Sequence, residues 1–139
     1  MIMRRSDEMN RNLPRLIILA AGMALVPLTF LGCDTLPDYR DPATLAQLID
    51  RKNTPYVLVD VRTPDEYASG HIPTAINIPL DQITRNLPSP DRSRLVIVYC
   101  ASGARASSAA KKLQSLGFTR VLNFGGIDRW EGALETSEE

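Results

Sequence analysis

Cys100 follows an apolar, β-rich run, Leu95–Tyr99 (LVIVY), and precedes Ala101, Ser102, Gly103, Ala104 and Arg105. A chain that leaves a strand, turns through small residues and enters a helix can curl tightly, with Gly103 free to take a positive φ. Its backbone N–H groups then converge on an anion cradle at a helix N-terminus. A cysteine at the base of such a cradle, with an arginine close by, is favoured as thiolate. Such a group does nucleophilic chemistry, and the same donors stabilise a bound oxyanion or a persulfide anion. No histidine is near in sequence, so a protease-like Cys/His pair is not indicated. A buried cysteine capping a strand is the plainer account of any isolated Cys. Glycine and arginine at loop spacing weigh against it here.

The rest of the chain must hold that loop in place. Tyr56–Val61 (YVLVDV) reads as a buried strand, Ala75–Ile78 as a second and Val121–Phe124 as a last one, with Leu95–Tyr99 the strongest of the set. Between them, Asp41 fits an N-cap and Pro42 a first helical position, with Leu45, Leu48 and Ile49 at helical spacing and Thr54-Pro55 as the stop. Pro64–Ser69 reads as one helical turn closed by Gly70, and Leu80–Leu87 as a short helix before the loop at Pro88-Ser89-Pro90. Arg105–Leu116 reads as a helix with Leu113 and Leu116 facing inward and Gly117 as its C-terminal stop. Gly125-Gly126 is expected to turn the chain into a final short helix bearing Trp130, a core-packing residue. Alternating strands and helices predict an α/β fold with a parallel sheet covered on both faces. Ligands of such sheets sit at the carboxyl ends of the strands, where Cys100 lies. Asp60 and Arg62 end a strand on that side, and Glu66 is a suitable carboxylate for the Arg105 guanidinium. A scaffold ion-pair network is the expected role of Asp60 and Glu66.

The chain has 139 residues, with 16 basic and 16 acidic side chains, 44% hydrophobic and 23% charged residues. That composition excludes a disordered chain, a collagen-like fibre and a polytopic membrane protein. No basic excess points to nucleic acid. Two cysteines, Cys33 and Cys100, make no disulfide framework, and with His71 the sole histidine they argue against a structural zinc site.

The first 15 residues carry Arg4, Arg5, Arg11 and Arg15 against Asp7 and Glu8, and Leu16–Gly32 then runs 17 residues without a charge. A basic flank before an apolar run reads as an export signal. The run is apolar all round rather than striped, unlike a core helix. A retained membrane helix is the rival, at the short edge of a spanning length and broken by Pro27. Phe30-Leu31-Gly32-Cys33 resembles the lipobox of bacterial lipoproteins, with Phe30 where Leu is usual. That resemblance implies lipidation of the Cys33 thiol and cleavage that leaves Cys33 as the N-terminus. In some such proteins an Asp in the position of Asp34 retains the protein at the inner membrane. The expectation is an exported protein, anchored by lipid or helix and facing the periplasm or extracellular side. Without residues 1–32 the chain has twelve basic and fourteen acidic side chains. A domain of that size buries about 65% of its unfolded surface, enough for one core. The expected organisation is a signal or anchor over 1–32, a tether over 33–40, a folded domain over 41–135 and a tail over 136–139.

The loop CASGARA resembles the C-x-x-G-x-R active-site loop of the rhodanese-like sulfurtransferases. Leu58-Val59-Asp60-Val61-Arg62, then Glu66-Tyr67, then Gly70-His71-Ile72 with Ala75, Asn77 and Pro79 are similar to that family's D-V-R, E-[FY] and G-H-I-x-x-A-x-N-[IL]-P signature. Asn123-Phe124-Gly125-Gly126, with Trp130 four residues on, resembles its closing G-G-x-x-x-W motif. Thr74 departs from the pattern, standing where Gly is usual. The resemblance spans about residues 40–134 and implies a five-stranded parallel sheet flanked by helices, the first strand falling within residues 34–40. It implies that Cys100 carries a persulfide. Sulfur is taken from a donor such as thiosulfate and passed to cyanide or a thiol, with Ala101, Ser102, Gly103, Ala104 and Arg105 forming the substrate loop and no metal or organic cofactor required. It places His71 in a turn, bonded to backbone, and away from a general-base role. Four residues separate Cys100 from Arg105. Related phosphatases and arsenate reductases have five there, in a larger cradle that fits a tetrahedral phosphate. A tethered sulfur-carrier or binding module is the non-enzymatic alternative.

Overall fold

The computed structural model describes residues 37–51 and 53–137. The elements run α1 (Pro42–Arg51), β1 (Tyr56–Asp60), α2 (Pro64–Ala68), β2 (Ile76–Asn77), β3 (Leu95–Cys100), α3 (Ala104–Ser115) and β4 (Val121–Gly126), then a 3-10 turn at Ile127–Arg129. Asp41 caps α1, its carboxylate accepting from the Thr44 N–H at 2.8 Å and the Thr44 hydroxyl at 2.7 Å. Thr63 and Glu66 cap α2 reciprocally, each side chain accepting from the other's backbone N–H. The four strands are all parallel, in the order β2-β1-β3-β4. All six residues of β3 are buried. A parallel strand covered on both faces must be apolar at every position, which is why LVIVYC shows no alternation.

Alternate residues of the sheet feed two cores. Val59, Val96, Val98 and Cys100 face α3 through Ala106, Ala109, Ala110 and Leu113. Leu58, Leu95, Ile97 and Tyr99 face α1 through Leu45, Leu48 and Ile49. Three alanines on the inner face of α3 let that helix lie close to the sheet, and this brings its first turn beside the end of β3.

Several expectations are corrected. The sheet has four strands among the described residues, not five: Asp38–Arg40 form a turn rather than an edge strand, and residues 34–36 lie outside the described chain. Leu80–Leu87 is a series of turns instead of a helix, with Gln82 N–H on the Pro79 carbonyl and Arg85 and Asn86 N–H on the Gln82 carbonyl. Only Ile83 in that stretch is buried while Leu87 is 37% exposed, so no apolar face rewards a helix between Pro79 and Pro88. Leu116 is 38% exposed rather than inward. Gly117, at φ +91°, reverses the chain, and Phe118 folds back with its N–H on the Leu113 carbonyl to fill the inner position instead. Gly125-Gly126 does not turn the chain. It continues β4 past a register shift to pair with Tyr99 and Cys100, and Trp130 follows the 3-10 turn.

Candidate active site

Cys100 is the last residue of β3 and is 1% exposed. Gly103 takes φ +95°, and its backbone N–H donates to the Cys100 sulfur at 3.0 Å. A β-carbon is unwelcome at that φ, so the residue type at 103 decides whether the N–H reaches the sulfur. α3 begins at Ala104, and the first N–H groups of a helix have no partner within it, so they stay available to an anion. Across the sheet, Gly126 pairs with Cys100. A β-carbon on Gly126 would lie 2.6 Å from the Ala101 carbonyl oxygen and 3.1 Å from the Ser102 Cα. The second glycine therefore lets the cysteine loop close down on β4. This role was missed in the sequence, where adjacent glycines also spell a turn.

Arg105 and Glu66 form a two-pronged pair. Nη1 donates to Oε2 at 2.7 Å and Nη2 to Oε1 at 2.8 Å, with each side chain 35% exposed. Oε2 of Glu66 also accepts from the Thr63 N–H and hydroxyl. The Arg105 hydrogen bonds first, and the Thr63 N–H second, hold the Glu66 carboxyl well below its usual 4.5, at about 2. In return Glu66 pushes the Arg105 pKa up, and the Cys100 sulfur adds a smaller push the same way. Both ends of the guanidinium are engaged by protein, so Arg105 is not a free fork aimed at a bound anion.

Asp60 and Arg62 are tied to each other rather than to the cysteine loop. Arg62 donates Nε to both Asp60 oxygens at 3.0 and 2.9 Å and Nη2 to Oδ2 at 2.6 Å, while a further Nη2 bond reaches the Gly70 carbonyl at 2.6 Å. Asp60 is 0% and Arg62 7% exposed. Burial works against the Arg62 charge, yet the hydrogen bonds and charge of Asp60 outweigh it and hold its pKa above the usual value. Asn77, whose role the sequence did not disclose, donates Nδ2 to the Asp60 and Arg62 carbonyls at 3.0 Å each and fixes the end of β1 against β2.

His71 is buried with Nδ1 at 3.0 Å from the Tyr67 carbonyl and its ring stacked on Tyr67 at 3.8 Å. Its backbone pairs with Glu135. Its side chain meets backbone, as expected, but the residue itself lies in an antiparallel bridge and not in a turn. Trp130 is half-buried against the α1-side core and donates Nε1 to the Ala133 carbonyl. Thr74, at φ +69°, is the one non-glycine with positive φ among the described residues, and it stands where the family pattern has Gly. An open cavity of about 320 Å³ adjoins Arg105, with Thr63, Leu80, Asp81 and Lys112 on its walls. A larger one, about 460 Å³, lies among Pro37, Leu95 and Thr119–Leu122 and includes none of the cysteine loop. Among the described residues no three His, Cys, Asp or Glu side chains are grouped to hold a metal ion. Among them, too, no helix is long and apolar enough to cross a membrane. Leu16–Gly32 and Cys33 lie outside the described residues.

The rhodanese-like domain family matches residues 41–133. A sulfurtransferase of Allochromatium vinosum is 44% identical over 75 residues, covering 53% of this chain and 70% of that protein. The thiosulfate sulfurtransferase PspE of Escherichia coli is 38% identical over 71 residues, covering 50% and 68%. Among solved structures, a rhodanese with anions from E. coli superposes with a TM-score of 0.57 at 32% identity, over 59% of this chain and 99% of that one. A cysteine ending the central strand of a parallel sheet, its loop closed on a pair of glycines and its arginine clasped by a capping glutamate, thus has relatives that share sequence and fold, and the chain belongs to the rhodanese-like sulfurtransferase family.

Proposed function

We propose that the chain moves sulfane sulfur from a donor such as thiosulfate to a thiophilic acceptor through a persulfide on Cys100. The Cys100 thiolate attacks the outer sulfur of thiosulfate, a new S–S bond forms, the old one breaks, and sulfite leaves with the electron pair. An acceptor thiolate or cyanide then attacks the outer sulfur of the persulfide and leaves Cys100 as thiolate again. The observation that carries this reading is the Gly103 N–H aimed at the sulfur at 3.0 Å, which favours sulfur carrying negative charge. The clasp of Arg105 by Glu66 favours sulfur over phosphate chemistry, because a phosphate cradle needs a free guanidinium fork. The test is the mass of the Cys100 peptide after the full chain meets thiosulfate. One added sulfur atom, removed by cyanide, is expected. Cys100→Ser should stay folded and lose thiosulfate:cyanide transfer, and retained transfer would sink the mechanism.

We also propose that the chain is exported and held at a membrane through its N-terminal segment, with lipid on Cys33. The support is the arginine flank, the uncharged Leu16–Gly32 run and the small Gly32 before Cys33. Cys33→Ala should accumulate as precursor and lose fatty-acid labelling. A wild-type mass that includes residues 1–32 and no lipid would decide for an uncleaved helix.

A further inference from the structure

We propose that the amino end of the sheet is a docking face for an anionic lipid surface, so that the Cys100 loop points away from the bilayer. In a parallel sheet all strands start at one end, here at Tyr56, Leu95 and Val121, and finish at the other, where Cys100 and Gly126 lie. Charge is divided between these ends. Arg94 and Arg120 immediately precede β3 and β4, and the Arg92 carbonyl accepts the Thr119 N–H beside them. Arg51 stands in the last turn of α1, which leads down to the start of β1, whereas Lys112 of α3 lines the cavity beside Arg105. Asp38, Asp50 and Asp91 are the acidic groups there; Asp38 and Asp91 sit 4.0 and 3.9 Å from Arg40 and Arg94.

The carboxyl end is the reverse. Asp41, Asp65, Asp128, Glu131 and Glu135 are exposed there; of the exposed bases, Arg129 is bonded to the Phe124 and Arg40 carbonyls, Arg85 to the Asp81 carbonyl, and Lys112 lines the cavity beside Arg105. The described chain also begins at the basic end. Pro37 lines one cavity with Leu95, Thr119 and Arg120, and another with Arg51, Asn53 and Thr54. Beyond Pro37 the sequence holds the uncharged run Leu16–Gly32 and Cys33, only four residues away, which at full extension reach about 14 Å. A basic face at the point where an apolar segment leaves the domain is complementary to acidic headgroups. That attraction extends about a Debye length and weakens with salt.

The chain's single tryptophan, Trp130, follows the carboxyl end of β4, so it reports the far side. The full chain, reconstituted into vesicles carrying brominated acyl chains, would be compared with a Thr119→Trp reporter in a Trp130→Phe background. Vesicles would be phosphatidylcholine alone or phosphatidylcholine with phosphatidylglycerol. The expected result is at least twofold stronger quenching of the residue-119 reporter than of Trp130 with phosphatidylglycerol. The difference should vanish in high salt and in the Arg94→Glu/Arg120→Glu variant, while sulfur transfer by that variant persists and so vouches for its fold. The salt arm needs no charge substitution. Failure of the chain to float with vesicles, stronger quenching of Trp130, quenching indifferent to phosphatidylglycerol, or binding of duplex DNA in place of vesicles would each overturn the proposal.

Discussion

Two arginine–carboxylate pairs lie at the carboxyl end of the sheet, on neighbouring strand ends, and in both the guanidinium donates to both carboxylate oxygens. Arg62–Asp60 is sealed, its side chains 8% and 0% exposed, and it draws in the Gly70 carbonyl. Arg105–Glu66 is open to water, 35% exposed on each side, and it joins the first turn of α3 to the cap of α2. The buried pair cannot part without leaving a charge in a dry place, so it acts as a fixed frame. The open pair can part at low cost because water takes over each partner. Its consequence is positional: it holds the residue that follows the cysteine loop.

The sharpest break of this comparison is Arg62→Ala. It strands the Asp60 carboxylate with no exposure, which costs about 3–5 kcal/mol in such settings. The unfolding midpoint should fall steeply in denaturant titrations of the full chain. Arg105→Ala should lower stability by only about 1 kcal/mol, since solvent screens the pair, yet should cost more in sulfur transfer than in folding. Equal losses of stability in the two variants would erase the distinction between frame and clasp. Gly126→Ala probes the loop from below. Its β-carbon would meet the Ala101 carbonyl oxygen at 2.6 Å, and overpacking of that kind costs about 1–3 kcal/mol. The loop should yield before the sheet does, so transfer should drop well beyond what the unfolding curve explains. An unchanged rate would mean that the fit of the loop on β4 is irrelevant to the chemistry.

The site was more legible in the sequence than the elements around it. Cys100 at a strand end and the small residues after it follow from residue type and spacing, because a loop between strand and helix leaves few alternatives; for Arg105 the sequence offers Glu66 or Asp60, and the fold gives it Glu66. The seal around Asp60 was less legible. Arg62 lies two residues on, but only the folded turn brings the Gly70 carbonyl to it. Leu80–Leu87 misled because its leucines and isoleucine suggest a helical face, whereas only Ile83 is buried and Leu80 packs partly against the core. Leu116 misled for a related reason: apolar spacing does not reveal that Phe118 returns to take the inner place. Gly125-Gly126 is ambiguous by nature, since glycine serves turns and close approaches alike.

The clasp has a pH signature that the frame lacks. The folded-state pKa of Glu66 is about 2, below its usual 4.5. A carboxyl lowered on folding contributes stability that is fully present above its unfolded pKa and disappears as pH falls through the folded one. The stability gap between wild type and Glu66→Gln should therefore be constant from pH 7 to about 5 and close between about 4.5 and 2. Screening at a third exposure holds the gap to about 1 kcal/mol. A gap that widens on acidification would contradict the assignment of Glu66 as the ionised partner.

The smallest effect is expected on the frame side, at Thr74. Its φ of +69° is costly for a β-branched residue, and left-handed backbone costs about 1–2 kcal/mol without a glycine. Replacing it with glycine relieves that strain but adds about 0.5–1 kcal/mol of unfolded-chain entropy. It also removes the hydroxyl that meets the Tyr56 hydroxyl at 2.8 Å, an exposed contact that water can replace. The net gain for Thr74→Gly should be about 0.5 kcal/mol, with sulfur transfer unchanged because the turn belongs to the frame and not to the loop. Thr74→Ser keeps the hydroxyl and sheds the branch, so it should fall between the two. If Thr74→Gly lowers the unfolding midpoint while Thr74→Ser does not, the Tyr56 contact outweighs the strain. If transfer moves with either substitution, the frame and the loop are coupled through β1 and the division between them fails.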